Sequence, residues 1–206
     1  KLIFSEQSYF APSSLLTLLD TIAGFLRFVC VFPFLVNDVC LKLTGLLQTF
    51  NLRLKQLVLE GGSFSLKNVR SITIKHLVLC AQSLSLITSI IPSLKSFLLF
   101  YQSPKRPALL SDMEKLPEIY RNHKELIFSK CVDIVVQRIK KMAGSLKDFQ
   151  WDKEVDHDEK PLSLCMKNII EDIQTMHKTI SNLLCTTELS DIFSLLVGKY
   201  SQYCYT

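Results

Sequence analysis

The sequence has few of the residues that form turns, with 6 glycines and 7 prolines among 206 residues. An all-β fold needs a turn about every ten residues, so this scarcity argues against one. The 7 cysteines include no C-x-x-C pair, which leaves no zinc-ribbon spacing and no evident disulfide framework. Most of them lie among apolar residues, as is typical of cysteine used as a small hydrophobic side chain in a reducing compartment.

The motifs of the common enzyme classes are also missing. The sequence contains no G-x-G-x-x-G, P-loop, G-x-S-x-G or H-E-x-x-H pattern. Its 4 histidines are scattered, and the sequence pattern shows no polar cluster that would converge with them in a catalytic site. We therefore predict that the chain is not an enzyme and that it holds no cofactor, catalytic residue or metal ion.

The charge balance is only mildly basic, with a net charge of +5 and a pI of about 8.8. A nucleic-acid-binding domain is usually more basic, so nucleic acid is not an expected partner. Basic residues that could meet an anionic lipid or an acidic partner stand in two places, although such residues often serve solubility alone. The candidates are Lys105, Arg106, Arg138, Lys140 and Lys141.

Two places in the sequence could suggest a metal site. Glu154, Asp156, His157, Asp158 and Glu159 lack the spacing and the glycine of a calcium loop. We interpret residues 147–160, which contain them, as an exposed, mobile acidic loop. The second candidate is His123, which lies on an apolar helical stripe. A packed, hydrogen-bonded histidine is a simpler interpretation there than a metal ligand.

Apolar residues at helical spacing predict six helices with short connections, which favour antiparallel neighbours. Proline opens the first helix and closes it, and paired glycines end the second. We expect one all-α domain over residues 1–206, an elongated antiparallel bundle or rod. The predicted helices are 12–32, 35–60, 73–101, 111–142, one from about 162 and one from about 187.

The third predicted helix carries the most regular pattern. Apolar residues alternate at steps of three and four, and a second apolar face runs beside them. A helix that is apolar on two sides belongs in the middle of a bundle, although the same seam could form an intermolecular coiled coil. The seam comprises Leu77, Cys80, Leu84, Ile87, Ile91, Leu94, Leu98 and Tyr101.

Residues 21–37 raise the question of a membrane span, since Arg27 is their only charge. A spanning helix needs about 20 apolar residues, and a central arginine is costly there. Pro33 interrupts this segment as well. We therefore favour a buried helix that contacts neighbours on several sides, and keep a membrane span near 21–37 as the alternative.

Residues 50–95 resemble the C-terminal region of the vacuolar protein sorting protein fifty-four family. The matching features are Phe50-Asn51 with Arg53, the run Gln56–Leu59 before the glycines, Ile72-Thr73 with Lys75, and Ile91-Pro92. The similarity extends more loosely over nearly the whole chain. The members of this family are subunits of the Golgi-associated retrograde protein (GARP) complex, which tethers vesicles.

The resemblance implies a helical, non-catalytic tethering module from the C-terminal part of a longer chain. It implies a role in retrograde transport from endosomes to the trans-Golgi network, on the cytosolic face of these membranes. The implied partners are the other GARP subunits, SNARE proteins through the parent protein, and a peripherally bound endosomal or trans-Golgi membrane. The family pattern has no catalytic signature, so it assigns no site residue.

Overall fold

The computed structural model describes residues 2–59, 72–101, 111–144 and 161–204. Six α-helices account for most of these residues, which confirms the predicted all-α fold and the number of helices. The helices are α1 (Ser13–Val31), α2 (Val36–Leu59), α3 (Ile74–Tyr101), α4 (Ser111–Gly144), α5 (Pro161–Ile180) and α6 (Thr186–Cys204).

Contacts divide the chain into two compact units, Lys1–Ile127 and Phe128–Thr206. We call them unit 1 and unit 2. The boundary lies inside α4, so the first half of this helix belongs to unit 1 and the second half to unit 2. The expectation of a single domain over residues 1–206 stays a prediction.

Prolines set the ends of α1, as the sequence predicts. Pro12 stands before the first turn in an extended conformation, and its carbonyl accepts the first helical hydrogen bonds. At the other end, Phe32 leaves helical geometry with φ −126° and ψ 70°, because the proline that follows disfavours a helical residue before it. Pro33–Leu35 then forms one 3₁₀ turn that leads into α2.

A short hairpin before α1 was not predicted. Strand β1 (Leu2–Phe4) pairs antiparallel with β2 (Gln7–Tyr9), in the register that places Leu2 opposite Tyr9. Ser5 and Glu6 form the two-residue turn with φ of 48° and 67°, the left-handed region that such turns require. Three-residue strands with neither Asn-Gly nor Asp-Gly between them give the sequence little hairpin signal.

The hairpin is fastened to α3 in unit 1. The Tyr9 ring is buried, and its hydroxyl lies 3.4 Å from the Ser89 hydroxyl. The backbone N–H of Phe10 donates to the Oε1 of Gln82 at 2.9 Å. Gln82 is a buried polar residue, so this bond satisfies an acceptor that would otherwise be costly inside the unit.

The seam of α3 forms the centre of unit 1. Six of its eight residues are at most 3% exposed, and Cys80 and Tyr101 are half-buried. Intramolecular packing, and not an intermolecular coiled coil, therefore covers the seam. The surrounding helices contribute further buried side chains, namely Leu15, Leu18 and Ile22 from α1, Leu43 and Leu47 from α2, and Met113, Leu116 and Ile127 from α4.

Unit 2 contains the second half of α4 with α5 and α6. The ammonium of Lys199 on α6 donates to the Ser129 hydroxyl at 2.8 Å and to the Asp133 carboxylate at 2.6 Å on α4. The guanidinium of Arg138 on α4 donates to Asp172 on α5 at 3.0 Å. The apolar core includes Val132, Val135, Ile139, Ile169, Met176, Ile180, Ile192 and Leu196.

Candidate interaction surface

The last turn of α1 and the residues after it expose large apolar side chains. Phe28 is 42% exposed, Val31 68%, Phe32 39% and Phe34 77%. The rings form a chain of contacts, with centroids 5.0 Å apart for Phe28 and Phe32 and 6.1 Å apart for Phe32 and Phe34. Pro33 makes this arrangement possible, because it ends α1 and begins the 3₁₀ turn that follows.

The end of α3 adds further exposed apolar side chains. Leu99 is 47% and Phe100 82% exposed. Tyr101 contacts the Phe100 ring edge-to-face, and its hydroxyl lies 3.7 Å from the Cys30 sulfur of α1. This contact places the end of α3 beside the end of α1. The combined surface is called the apolar end patch, and it comprises Phe28, Val31, Phe32, Phe34, Leu99 and Phe100.

The apolar end patch is large for a surface feature. A phenylalanine presents about 200 Å², so its four phenylalanines alone expose roughly 500 Å² of apolar surface. The largest apolar patch on a typical monomer is of about this size and often has a function. Both helices that form the patch belong to unit 1, so one unit builds the surface.

The exposure of α1 corrects one prediction. We expected residues 21–37 to form a buried helix with neighbours on several sides, but only 22% of the most apolar stretch of α1 is buried. The helix buries one side, through residues such as Ile22 and Val29, and leaves its last turn outside. Hydrophobic composition gives the number of apolar side chains but not which of them find a neighbour.

Two of the described helices, α1 and α3, are long and apolar enough to cross a membrane by length and composition alone. The most apolar stretch of α3 is 56% buried, as in the core helix of a globular unit. The segment predicted as an alternative span, residues 21–37, is not one continuous helix. It is broken by the non-helical Phe32 and the 3₁₀ turn at Pro33–Leu35.

The structure brings together only part of the predicted basic contact set. Arg138, Lys140 and Lys141 lie within the last two turns of α4 in unit 2, with exposed side chains. Arg138 already forms an ion pair with Asp172, so its positive charge is less available to another anion. Lys105 and Arg106 lie outside the described residues.

A buried polar pair links α2 to α4 inside unit 1. His123 and Asn51 are 4% and 9% exposed, and the His123 Nδ1 lies 2.6 Å from the Asn51 Oδ1. An amide oxygen only accepts, so the proton of a neutral His123 is on Nδ1. Burial, and then the positive charge of Lys55, lower the pKa of His123 to about 4. His123 is thus a packed, hydrogen-bonded histidine, as predicted.

The neighbouring Tyr120 makes a second polar contact between these helices. Its ring is fully buried, and its hydroxyl donates to the backbone carbonyl oxygen of Leu47 at 2.8 Å. Burial raises the pKa of Tyr120 above its usual range, so the hydroxyl stays protonated. These contacts fix α4 against α2 and leave no reactive group exposed at this place.

Within the described ranges, no group of three or more His, Cys, Asp or Glu side chains could hold a metal ion. Cys30, Cys40, Cys80, Cys131, Cys165 and Cys185 are present as thiols. Burial raises the pKa of the Cys80 thiol to about 11, which makes it a poor nucleophile. The acidic segment 147–160 lies outside the residues that the structure describes.

Comparison with known proteins decides the family. The family model described as Vps54-like protein matches residues 6–138, which is more than half of the chain. The chain belongs to the Vps54-like family. The match begins within the hairpin and ends in α4 of unit 2, so it includes both helices that form the apolar end patch.

The curated relatives agree with this assignment. The human vacuolar protein sorting-associated protein 54 is 27% identical over 199 residues, 97% of this chain and 19% of the human protein. The Arabidopsis thaliana protein of the same name, designated chloroplastic, is 24% identical over 201 residues, 96% of this chain and 19% of that protein. The Schizosaccharomyces pombe protein is 23% identical over 154 residues, 75% of this chain and 16% of that protein.

The chain thus spans about a fifth of the length of these relatives. No solved structure matches the chain. As a member of a vacuolar protein sorting family with a helical fold, the chain corresponds to one portion of a much longer sorting protein.

Sequence reasoning missed the apolar end patch, although two signals were present. Phe28, Phe32 and Phe34 surround a proline that must end a helix, and Phe97, Phe100 and Tyr101 crowd the end of another. Aromatic residues concentrated at helix ends, where fewer side chains normally belong to the core, could have indicated an exposed apolar surface. The two groups are joined by the tertiary contact between Tyr101 and Cys30, which the sequence does not indicate.

Proposed function

We propose that the chain is part of a non-catalytic tethering subunit of the GARP complex. This subunit acts in retrograde transport from endosomes to the trans-Golgi network. The observation that carries the proposal is the Vps54-like family match over residues 6–138, together with similarity to vacuolar protein sorting-associated proteins along 97% of the chain. The partners are the other GARP subunits and, through the parent protein, SNARE proteins.

This portion of the subunit helps to recruit the complex to endosomal membranes or to partners there. It works on the cytosolic face as a peripheral module, by docking and without bond chemistry, cofactor or nucleic acid. Two surfaces support the proposal, the apolar end patch in unit 1 and the exposed basic end of α4 in unit 2. The buried seam of α3 supplies the rigid support that a docking surface needs.

Affinity purification of the full-length parent protein from gently lysed cells, followed by mass spectrometry, tests the assignment. Stable recovery of the other GARP subunits is the expected result. Recovery of none of them would overturn the proposed function, although the all-α fold would stand. A parallel purification with this region deleted separates complex assembly from recruitment, since the deletion should leave the subunits together and lower their amount on endosomal membranes.

Carbonate extraction of membranes from the same cells addresses the alternative of a spanning helix near residues 21–37. High pH releases a peripheral protein and retains one that crosses the bilayer. Release of the parent protein is expected for a tether. Retention that disappears when a charge is placed in the middle of α1, at Ala23, would instead favour insertion of this helix.

A further inference from the structure

We infer that the apolar end patch inserts directly into the interfacial region of an anionic lipid bilayer. The inference rests on the proposed peripheral recruitment and gives it a surface and a ligand class. In this arrangement the phenylalanine side chains enter the boundary between headgroups and acyl chains. The rest of unit 1 stays in water.

The shape of the patch fits a bilayer better than a protein groove. Phe34 and Phe100 are 77% and 82% exposed, so most of each ring stands clear of the protein. Rings that protrude in this way can enter a fluid interface without needing a matching cavity. The six side chains of the patch also offer no hydrogen-bond donor or acceptor, whereas a protein interface of this size carries several hydrogen bonds.

The lack of polar side chains in the patch, more than its area, argues against a second copy of the chain as its occupant. Its four phenylalanines expose roughly 500 Å². A stable protein interface buries about 800 Å² on each partner, with a polar rim around an apolar core. A bilayer requires no minimum area, because each side chain that enters adds its own transfer free energy.

The charges near the patch are those that anionic lipid would attract. Arg27 precedes Phe28 directly and is exposed. The sequence from Gly24 to Asn37 contains no acidic residue, and neither does the sequence from Ser96 to Ser111. The last lysine within α3, Lys95, is already paired with Glu114. An exposed cation beside the patch, with no acidic residue in these two stretches of sequence, favours an anionic over a neutral bilayer.

Vesicle flotation with the whole 206-residue chain tests the inference. The probes are vesicles of phosphatidylcholine alone and vesicles in which a fifth of the lipid is phosphatidylserine. The chain should float with both and bind the anionic vesicles more tightly. Phe34→Ser combined with Phe100→Ser should lower the affinity about a hundredfold, roughly tenfold for each ring removed from the bilayer.

The chain provides a matched control. Ile3→Ser combined with Val197→Ser removes two apolar side chains that are 78% and 64% exposed but lie outside the patch. This control should bind as the unaltered chain does. All variants should keep the same thermal melting curve by circular dichroism, since each change is at an exposed side chain. Arg27→Gln should reduce binding to the anionic vesicles about fivefold and leave binding to phosphatidylcholine unchanged.

A fluorescent probe separates insertion from loose electrostatic attachment. Trp151 is the only tryptophan, so a Trp151→Phe chain that also carries Phe34→Trp has a single reporter in the patch. Its emission should shift to the blue on addition of the anionic vesicles, and lipids brominated on their acyl chains should quench it. The same reporter at position 197, Val197→Trp, should do neither.

Several outcomes would overturn the inference while leaving the proposed function intact. The first is no flotation of the unaltered chain with either vesicle. Equal loss of binding in the patch variant and its control, or a reporter at position 34 that does not respond, would do the same. Self-association that disappears in the Phe34→Ser and Phe100→Ser variant, without any vesicle binding, would assign the patch to a second copy. Co-purification of the GARP subunits tests the proposed function independently.

Discussion

Lowering the pH below 6.5 should destabilise the folded chain through a single buried side chain, His123. Its ring is 4% exposed, and its Nδ1–H is already donated to Asn51. Among the described residues no partner lies within reach of its Nε2, the atom that an added proton would occupy. Burial, and then the charge of Lys55, therefore lower the pKa of His123 from 6.5 to about 4 in the folded chain.

The sign and size of the effect follow from proton linkage. Above pH 6.5 His123 is neutral in both the folded and the unfolded chain, so its full contribution to the free energy of unfolding is present. Between pH 6.5 and 4 the unfolded chain binds the proton and the folded chain does not, so the free energy of unfolding falls as the pH falls. The loss is about 1.4 kcal/mol per pH unit, or about 3 kcal/mol over the whole interval.

Urea unfolding followed by circular dichroism at several pH values measures this slope. The whole chain contributes to the measured pH dependence, so the informative quantity is the difference between the unaltered chain and His123→Gln. Glutamine keeps a donor for Asn51 but does not titrate, and its curve should be flatter between pH 6.5 and 4. Parallel curves for the two chains would refute the reasoning, because they would show that His123 is protonated equally in both states.

Two further substitutions test the interior of unit 1. Ile87→Asp puts an unpaired carboxylate at a site that is 1% exposed, and should cost at least ~3 kcal/mol or unfold the unit. Leu99→Asp on the same helix, at a site 47% exposed, should leave thermal melting nearly unchanged, and equal melting of both would contradict the packing of α3. Tyr120→Phe removes the hydrogen bond to the Leu47 carbonyl and should lower urea stability by about 1 kcal/mol.

Helix ends and the core of unit 1 could be predicted because local rules decide them. Pro12 and Pro33 act on the residues beside them, and the predicted limits of α1 lie within a residue or two of the observed ones. The seam of α3 repeats regularly, and six of its eight residues, from Leu77 to Leu98, are buried as the pattern predicts. The hairpin escaped prediction because Ser5 and Glu6 adopt left-handed conformations that neither residue type favours.

Contacts between distant residues could not be predicted in the same way. His123 and Asn51 are 72 positions apart in the sequence, and both stand on helices whose relative rotation no local pattern fixes. A histidine on an apolar stripe indicated burial, but its partner could be any polar side chain on a neighbouring helix. The lowered pKa of His123 depends on that packing, so it belongs to the tertiary structure alone.

The apolar end patch shows how one composition permits two opposite interpretations. The scarcity of charge in residues 21–37 favoured a buried helix, with a membrane span as the alternative, and both assume that apolar side chains are surrounded along their length. The helix α1 buries only part of its apolar surface, and Pro33 ends it beside the exposed phenylalanines. The surplus apolar side chains therefore remain at one end, beside the end of α3. Exposure of this kind costs solubility, and a docking function gives a physical reason for a sequence to retain it.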